Sequence, residues 1–235
     1  MNGKKTDNIE KHHEEFSYCD FHAHTIYSND SSIRIKEMFQ LYVKKNISVV
    51  TITDHNTTAG LKTAHKIIKE NNFPIMLIDG EEIKTDIGEV IALDLNEEIP
   101  KGLPLDETIS LIREQGAKCI IPHPYDFYRK GLFHNVARVE KPFAIEVLNA
   151  RSLSLANWFS KKYALKHDFA QLASSDSHTY SEIGSAYTQM PFSSTKEEVF
   201  ENIEKKKTVC CGKESPLWVH CFTTYRNLKN KIFNN

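Results

Sequence analysis

ISVVTITDH, residues 47–55, is apolar almost throughout and then ends in two polar side chains, Asp54 and His55. An almost wholly apolar run of this length suits a strand covered on both faces, as in a parallel sheet packed between other layers. Working outward, IKEMFQLYVKKN (35–46) sets Ile35, Met38, Phe39, Tyr42 and Val43 on one helical face. TAGLKTAHKIIKENN (58–72) reads as the helix on the other side. The same rhythm continues along the chain: strands in SYCDFHA, PIMLIDG, EVIALDL, AKCIIPH, FAIEVLN and FAQLASSD, with helical stretches at 105–115 and 153–166. Repeated βα units predict an α/β fold closed into a barrel. A doubly wound open sheet fits the alternation too, but no glycine-rich phosphate fingerprint follows the first strand.

Composition narrows the function classes. The 235 residues are 40% hydrophobic and 26% charged, enough to bury one sizeable core, and the formal charge is −1. Near neutrality argues against a long nucleic-acid track or an anionic membrane surface. No apolar run is long enough to span a bilayer, and MNGKKTDNIEKHHEEF lacks the apolar core of a secretory signal, so a cytoplasmic protein is expected. Five cysteines without a CxxC pair suit reduced, buried thiols. The expected organisation is a disordered segment 1–16, one domain over 17–212 and a partly basic C-terminal appendage 213–235.

The polar residues fall where apolar runs end. DFHAH, TDHN, GEEI, the GEV that opens the next run, PHPYD and SSDSH each follow or bound a strand. In a parallel barrel the C-terminal strand ends share one rim, so side chains far apart in sequence meet there. Residues two apart on a strand point the same way, which lets His22 and His24 share a metal, and likewise Asp176 and His178. Asp54 and His55 point oppositely unless the strand has ended, so one of them is expected to orient a ligand rather than be one. Imidazole with carboxylate and no nearby thiolate suits zinc, manganese or iron.

Each cluster has a plain structural reading when taken alone. A strand histidine is more often a satisfied core residue, TDHN makes a helix-capping turn, DSH a hydrogen-bonded loop, and GEE a surface patch. His12, His13, His65, His134, His167 and His220 lack any such context and are assigned to solvent or structure. Recurrence at strand end after strand end is what folding needs alone do not produce, and it points to a multinuclear metal site.

The ordered series DFHAH, TDH, GEE, PHP and SDSH resembles the polymerase and histidinol phosphatase (PHP) family of metal-dependent phosphoesterases, over about Tyr18 to Cys211. The PHPYDFYR and IEVLNAR stretches are similar to its compact stand-alone branch. The resemblance implies a distorted (β/α)7 barrel with two to three divalent metals, Mn2+, Fe2+ or Zn2+. It assigns His22, His24, Glu82 and Asp176 to one metal, with Glu82 bridging to a second that His123 holds, and Asp30, His55 and His178 to a third. Glu89 stands where many relatives carry histidine, and either ligates the second metal or leaves it less tightly held. Asp30 likewise replaces a histidine found in some relatives, and Ser174 and Ser177 are minor departures.

Two metals sharing a carboxylate bind a water between them, lower its pKa and set it in line with phosphorus, giving a hydrolase that works through a metal-bridged hydroxide. Arg129 and Arg151 follow strand-end clusters and are candidates for gripping phosphate, though each also reads as a structural arginine. Asp54, His178 or a metal-bound water are the candidates for protonating the leaving group. The expected substrate is a small phosphorylated metabolite or nucleotide. The alternatives are 5′-3′ exonuclease action on short RNA or oligonucleotides, and a non-catalytic metal-binding module. An amidohydrolase is chemically open, but its usual carboxylated lysine has no candidate here.

Overall fold

The computed structural model describes residues 15–127 and 131–216. In chain order the elements are β1 (Phe16–Asp20), α1 (Ile35–Lys44), β2 (Val49–Ile52), α2 (Leu61–Asn71), β3 (Met76–Lys84), β4 (Glu89–Leu93), α3 (Leu105–Glu114), β5 (Lys118–Ile121), a 3-10 turn (Phe133–Arg138), β6 (Ala144–Asn149), α4 (Ser154–Lys166), β7 (Gln171–Ser174), β8 (Ala186–Pro191), α5 (Lys196–Glu204) and β9 (Val209–Gly212). One nine-stranded sheet runs in the order β7-β6-β5-β4-β3-β2-β1-β8-β9. It curls into a nearly closed barrel, the α/β architecture expected from the βα rhythm.

Each residue of β2 is buried, as its apolar sequence requires. On α1 the buried residues are Ile35, Met38, Phe39 and Tyr42, with Val43 partly covered against the same cluster. Each large apolar side chain so buried contributes about 1.5–3 kcal/mol of hydrophobic free energy. Four cysteines, Cys19, Cys119, Cys210 and Cys211, are free thiols, and Cys221 lies outside the described residues. Among the described residues no helix is long and apolar enough to cross a membrane.

The strand arrangement departs from a simple parallel barrel. β1-β2, β2-β3, β5-β6 and β6-β7 are parallel, whereas β4 runs antiparallel to both its neighbours and β8 runs antiparallel to β1 and β9. β8 and β9 lie beyond the run of strands legible in the sequence. β8 buries every second residue, and β9 is only four residues long and partly exposed, so neither carries the apolar run that marks the others. At the rim, however, the chain beyond β1 pairs with the chain beyond β7. Asp176 N–H donates to His22 O (2.7 Å) and His24 N–H to Ser177 O (3.0 Å). Lower down β8 is inserted, and Thr188 Oγ1 bridges to the Ala173 backbone at 2.9 Å. The seven-stranded closure therefore exists at the end where the polar clusters gather.

Phe16, expected in the N-terminal segment, begins β1, while Lys213 and Ser215 of the expected appendage donate backbone hydrogen bonds to Ser185 and Ala150. The rest of both segments, residues 1–14 and 217–235, lies outside the described residues.

β3 continues through Gly80, where the sequence reading ended it, and so carries Glu81 and Glu82 within the sheet. Gly80 is where the barrel wall is tightest: a Cβ there would sit 2.4 Å from Thr51 Cγ2 on β2. Gly80→Ala is accordingly expected to destabilise the fold by about 1–3 kcal/mol through overpacking, read as a lower melting temperature. An unchanged melting temperature would show that Thr51 turns aside at no cost.

Candidate metal centre

The strand ends deliver their polar residues to one place. His22 and His24 follow β1, Asp54 and His55 follow β2, Glu82 lies in β3, His123 follows β5, and Asp176 and His178 follow β7. Three sets bring ligand atoms within 4.8 Å of one another: His22, Glu82 and His123; His22, His24 and Asp176; and His24, His55 and His178. Glu82 faces this centre and Glu81 the other side of the sheet, because neighbours on a strand alternate. His22, His24, Glu82 and Asp176 are all at most 1% exposed.

Distances within the cluster are short. Glu82 Oε2 lies 2.9 Å from His55 Nδ1, 3.3 Å from His24 Nε2 and 3.4 Å from His22 Nε2, while Oε1 is 3.1 Å from His123 Nε2. Asp176 Oδ1 is 3.3 Å from His24 Nε2 and 3.5 Å from His22 Nε2. Asp30 Oδ2 reaches His178 Nε2 at 3.3 Å and His55 Nε2 at 3.5 Å, on the more open side of the site.

Hydrogen bonding from behind fixes which ring nitrogen faces inward. His22 Nδ1 meets Glu146 Oε1 at 2.9 Å, and His178 Nδ1 meets the Asp176 carbonyl at 2.9 Å. Both oxygens only accept, so Nδ1 carries the proton in each ring and Nε2 is left with its lone pair. Asp54 accepts from Ser28 Oγ (2.8 Å), so Ser28 in turn accepts from His24 Nδ1 at 3.2 Å. His22 Nε2 and His24 Nε2 consequently face each other as acceptors only 3.0 Å apart. Two lone pairs at that separation repel unless a cation or a proton lies between them.

Divalent metals fit this donor set. Glu82 Oε2 and His123 Nδ1 are buried polar atoms with no hydrogen-bond partner among the described residues, although three ring nitrogens surround Glu82 Oε2. Ring nitrogens crowd that oxygen without aiming an N–H at it, which is how ligands of a shared ion are arranged. Two metal-set residues have left-handed backbone, His123 at φ 26° and Asp176 at φ 50°. Such conformations cost about 1–3 kcal/mol and persist where surrounding bonds enforce them. Here His123 N–H donates to Glu146 Oε2 (3.0 Å) and Asp176 N–H to His22 O.

The electrostatics point the same way. Burial pulls His22 down, yet Asp176, Glu146 and Glu82 together push it well above the ordinary imidazole range. His55 is raised against its burial by Glu82 and Asp30. Burial would raise Glu82, but His22, His55 and His123 hold it well below the usual carboxylate range. Without metal, protons must offset the clustered carboxylates; with metal, cations replace them. Metal uptake by the full chain at neutral pH is therefore expected to release protons, measurable in weakly buffered solution, and uptake without proton release would contradict this account.

Other candidates sort themselves by geometry. Asp54 braces the loop after β1: Oδ1 takes Thr25 N–H (2.7 Å) and Ser28 Oγ, and Oδ2 takes Thr25 Oγ1 (2.6 Å). His178 is pushed down to about 3 by burial, Arg151 and His24, so it is a neutral ring suited to ligation rather than to acid catalysis. Arg151 is buried, with Nε 3.1 Å from Glu182 Oε1. Arg129 lies outside the described residues. Glu89 shares the Glu82 face of the sheet by register, since Glu82 pairs with Ile91 and Lys84 with Glu89, but no three-residue set includes it. His65, His134 and His167 are exposed and away from the cluster, as expected.

Sequence reasoning missed the supporting layer. Glu146, Asn149, Ser28 and Glu182 hold the ligands or their loops in place. Glu146 had a signal: it is the one charged residue in the apolar strand FAIEVLN. Glu182 accepts from His178 N–H (3.0 Å), Thr179 N–H and Thr179 Oγ1 (both 2.9 Å), which its place in an ordinary polar loop does not announce.

Comparison with known proteins finds related sequences and a shared fold. The sequence model of a family described as PHP-associated matches residues 154–208. Two uncharacterized proteins of Methanocaldococcus jannaschii are similar. One is 41% identical over 56% of this chain and 81% of its own length, the other 39% identical over 72% and 68%. A two-domain protein from Bacteroides vulgatus, described as containing a predicted PHP-like metal-dependent phosphoesterase, superposes with a TM-score of 0.73 at 16% identity. The match covers 90% of this chain and 70% of that one.

Proposed function

The chain belongs to the PHP family, and we propose that it is a metal-dependent hydrolase of phosphate monoesters, acting on a small phosphorylated metabolite or nucleotide. The observation that carries the reading is the inward convergence of the His22, His24 and His178 Nε2 lone pairs around a bridging carboxylate, Glu82. His22, His24, Asp176 and Glu82 would hold one ion, His123 with Glu82 a second, and Asp30, His55 and His178 a third. Bound divalent metals would activate a water for attack on phosphorus and neutralise the non-bridging oxygens.

The protein's own part is orientation and charge. Glu146 and Asp54 keep the imidazoles in the ligating tautomer, directly for His22 and through Ser28 for His24. Arg151 brings positive charge beside His178, and its Nε lies 3.1 Å from Glu182 Oε1, which holds the guanidinium by charge. A guanidinium so held would favour a phosphate at the mouth of the site. The near-neutral net charge supports a small substrate over a long nucleic acid.

The test is phosphate release from a panel of phosphate monoesters, a 3′,5′-bisphosphate nucleotide and a 5′-phosphorylated oligonucleotide, with manganese, zinc or iron added, alongside metal analysis of the purified chain. Release from small esters supports the proposal. Release from the oligonucleotide alone would replace it by exonuclease action, and full metal content without turnover on any substrate would leave a metal-binding module.

A further inference from the structure

Glu146 lies in the middle of β6 and is 1% exposed. Its carboxylate nevertheless joins three groups behind the metal centre. Oε1 receives His22 Nδ1 at 2.9 Å; Oε2 receives the His123 backbone N–H at 3.0 Å and Asn149 Nδ2 at 3.0 Å. Asn149 Nδ2 also donates to Asp176 Oδ2 at 2.9 Å. Asn149 is in turn fixed by Asn157 of α4, whose amide bonds the Asn149 N–H at 3.0 Å and carbonyl at 3.1 Å. The His123 N–H and the Asn149 amide N–H are donors on Oε2 and the His22 ring nitrogen meets Oε1, so both oxygens face donors.

These contacts divide the metal sets unevenly. The set of His22, Glu82 and His123 contains two residues that Glu146 holds directly. The set of His22, His24 and Asp176 contains His22, held directly, and Asp176, reached through Asn149. The residues proposed for the third ion, Asp30, His55 and His178, include none; Glu182 supports His178 instead, and Ser28 with Asp54 supports His24, which adjoins His55 and His178. We propose that Glu146 is a positioning residue shared by the two inner metal subsites, setting the affinity of both at once and leaving the outer, histidine-rich subsite to a separate support.

Chemistry makes Glu146→Gln the informative change. Glutamine has one accepting oxygen and one donating nitrogen, whereas Glu146 accepts on both sides. Whichever way the amide turns, its NH2 meets a donor, either His22 Nδ1–H or the His123 and Asn149 N–H groups. Outer ligand partners of this kind are worth about 10–100-fold in metal affinity.

The experiment is stepwise Mn2+ titration of the metal-stripped full chain against a chelating indicator, with metal counted after gel filtration. Glu146→Gln is expected to weaken two binding steps by about 10–100-fold and to leave a third at its wild-type affinity. Asn149→Ser, which keeps the Glu146 carboxylate but removes its link to Asp176, is expected to weaken one step only. Equal circular dichroism and melting of the metal-free forms separates positioning from misfolding; should Glu146→Gln fail to fold, the single-step effect of Asn149→Ser decides. Wild-type affinities in both variants, or equal weakening of all steps, would overturn the proposal. The proposal rests on the metal-centre reading above but not on turnover: a wild type that binds no manganese defeats that reading, while binding without the predicted pattern defeats only this one.

Discussion

Glu82→Gln is expected to cut phosphate release by about 10²–10³-fold, equivalent to about 2.7–4 kcal/mol of transition-state stabilisation. The residue is 1% exposed and faces His123 with one oxygen and His22, His24 and His55 with the other. An amide keeps the shape but offers a single accepting atom, so one of the two ions that Glu82 is proposed to join would lose its ligand. Metal content should fall together with rate. The neighbouring Glu81→Gln is the control, because it alters an adjacent buried carboxyl on the opposite face of β3. Burial pushes Glu81 up to about 7, against a hydrogen bond from Ile99 N–H and with help from Glu98, so an uncharged side chain there suits the fold. Glu81→Gln should keep rate and metal. Full turnover and metal in Glu82→Gln, or equal losses in both variants, would refute the bridging role.

How the sequence announces such a site depends on whether the signal is local. The candidate strand-end residues were legible because each is a polar side chain at the close of an apolar run: His55 in the DH after ISVVTIT, His123 after AKCIIP, Asp176 after FAQLASS. Alternation alone separates Glu82 from Glu81. The supporting layer was not legible, because its partners are distant in sequence. Glu146 meets His22 across 124 positions, and Ser28 meets Asp54 across 26. A lone serine in HTIYSND has no pattern to distinguish it. The same reason hid β8, which follows the alternation of a half-covered strand, and the antiparallel sense of β4, which depends on the tight connection from Lys84 to Glu89 rather than on the composition of EVIAL. The proton-donor roles expected of Asp54 and His178 depend on contacts of the same non-local kind. Residue type says that a group is polar, whereas its partners in the fold decide what it supports, and Asp54 accepts from Thr25 and Ser28.

Metal loading is also expected to change stability, with a sign that depends on pH. Each ion bound only by the folded chain adds about 2.7 kcal/mol when its free concentration is 100 times its dissociation constant. For a chain of this size each kcal/mol moves the melting temperature by about 2–4 °C. Stripping a single ion should therefore lower it by about 5–11 °C, and stripping the whole centre by more. In the stripped protein, His22 and His55 have raised pKa values, so their contribution to stability is fully present below the unfolded imidazole value of about 6.5 and is lost as pH rises through the folded values. Protons thus offset the buried carboxylates in acid, and metals do so in base. Melting curves with and without manganese should converge as pH falls and separate as it rises above neutrality. A separation that stayed constant with pH would mean that metal and protons do not compete for the same imidazoles. It would place the ions away from His22, contrary to the convergence of its Nε2 with that of His24 upon Glu82 and Asp176.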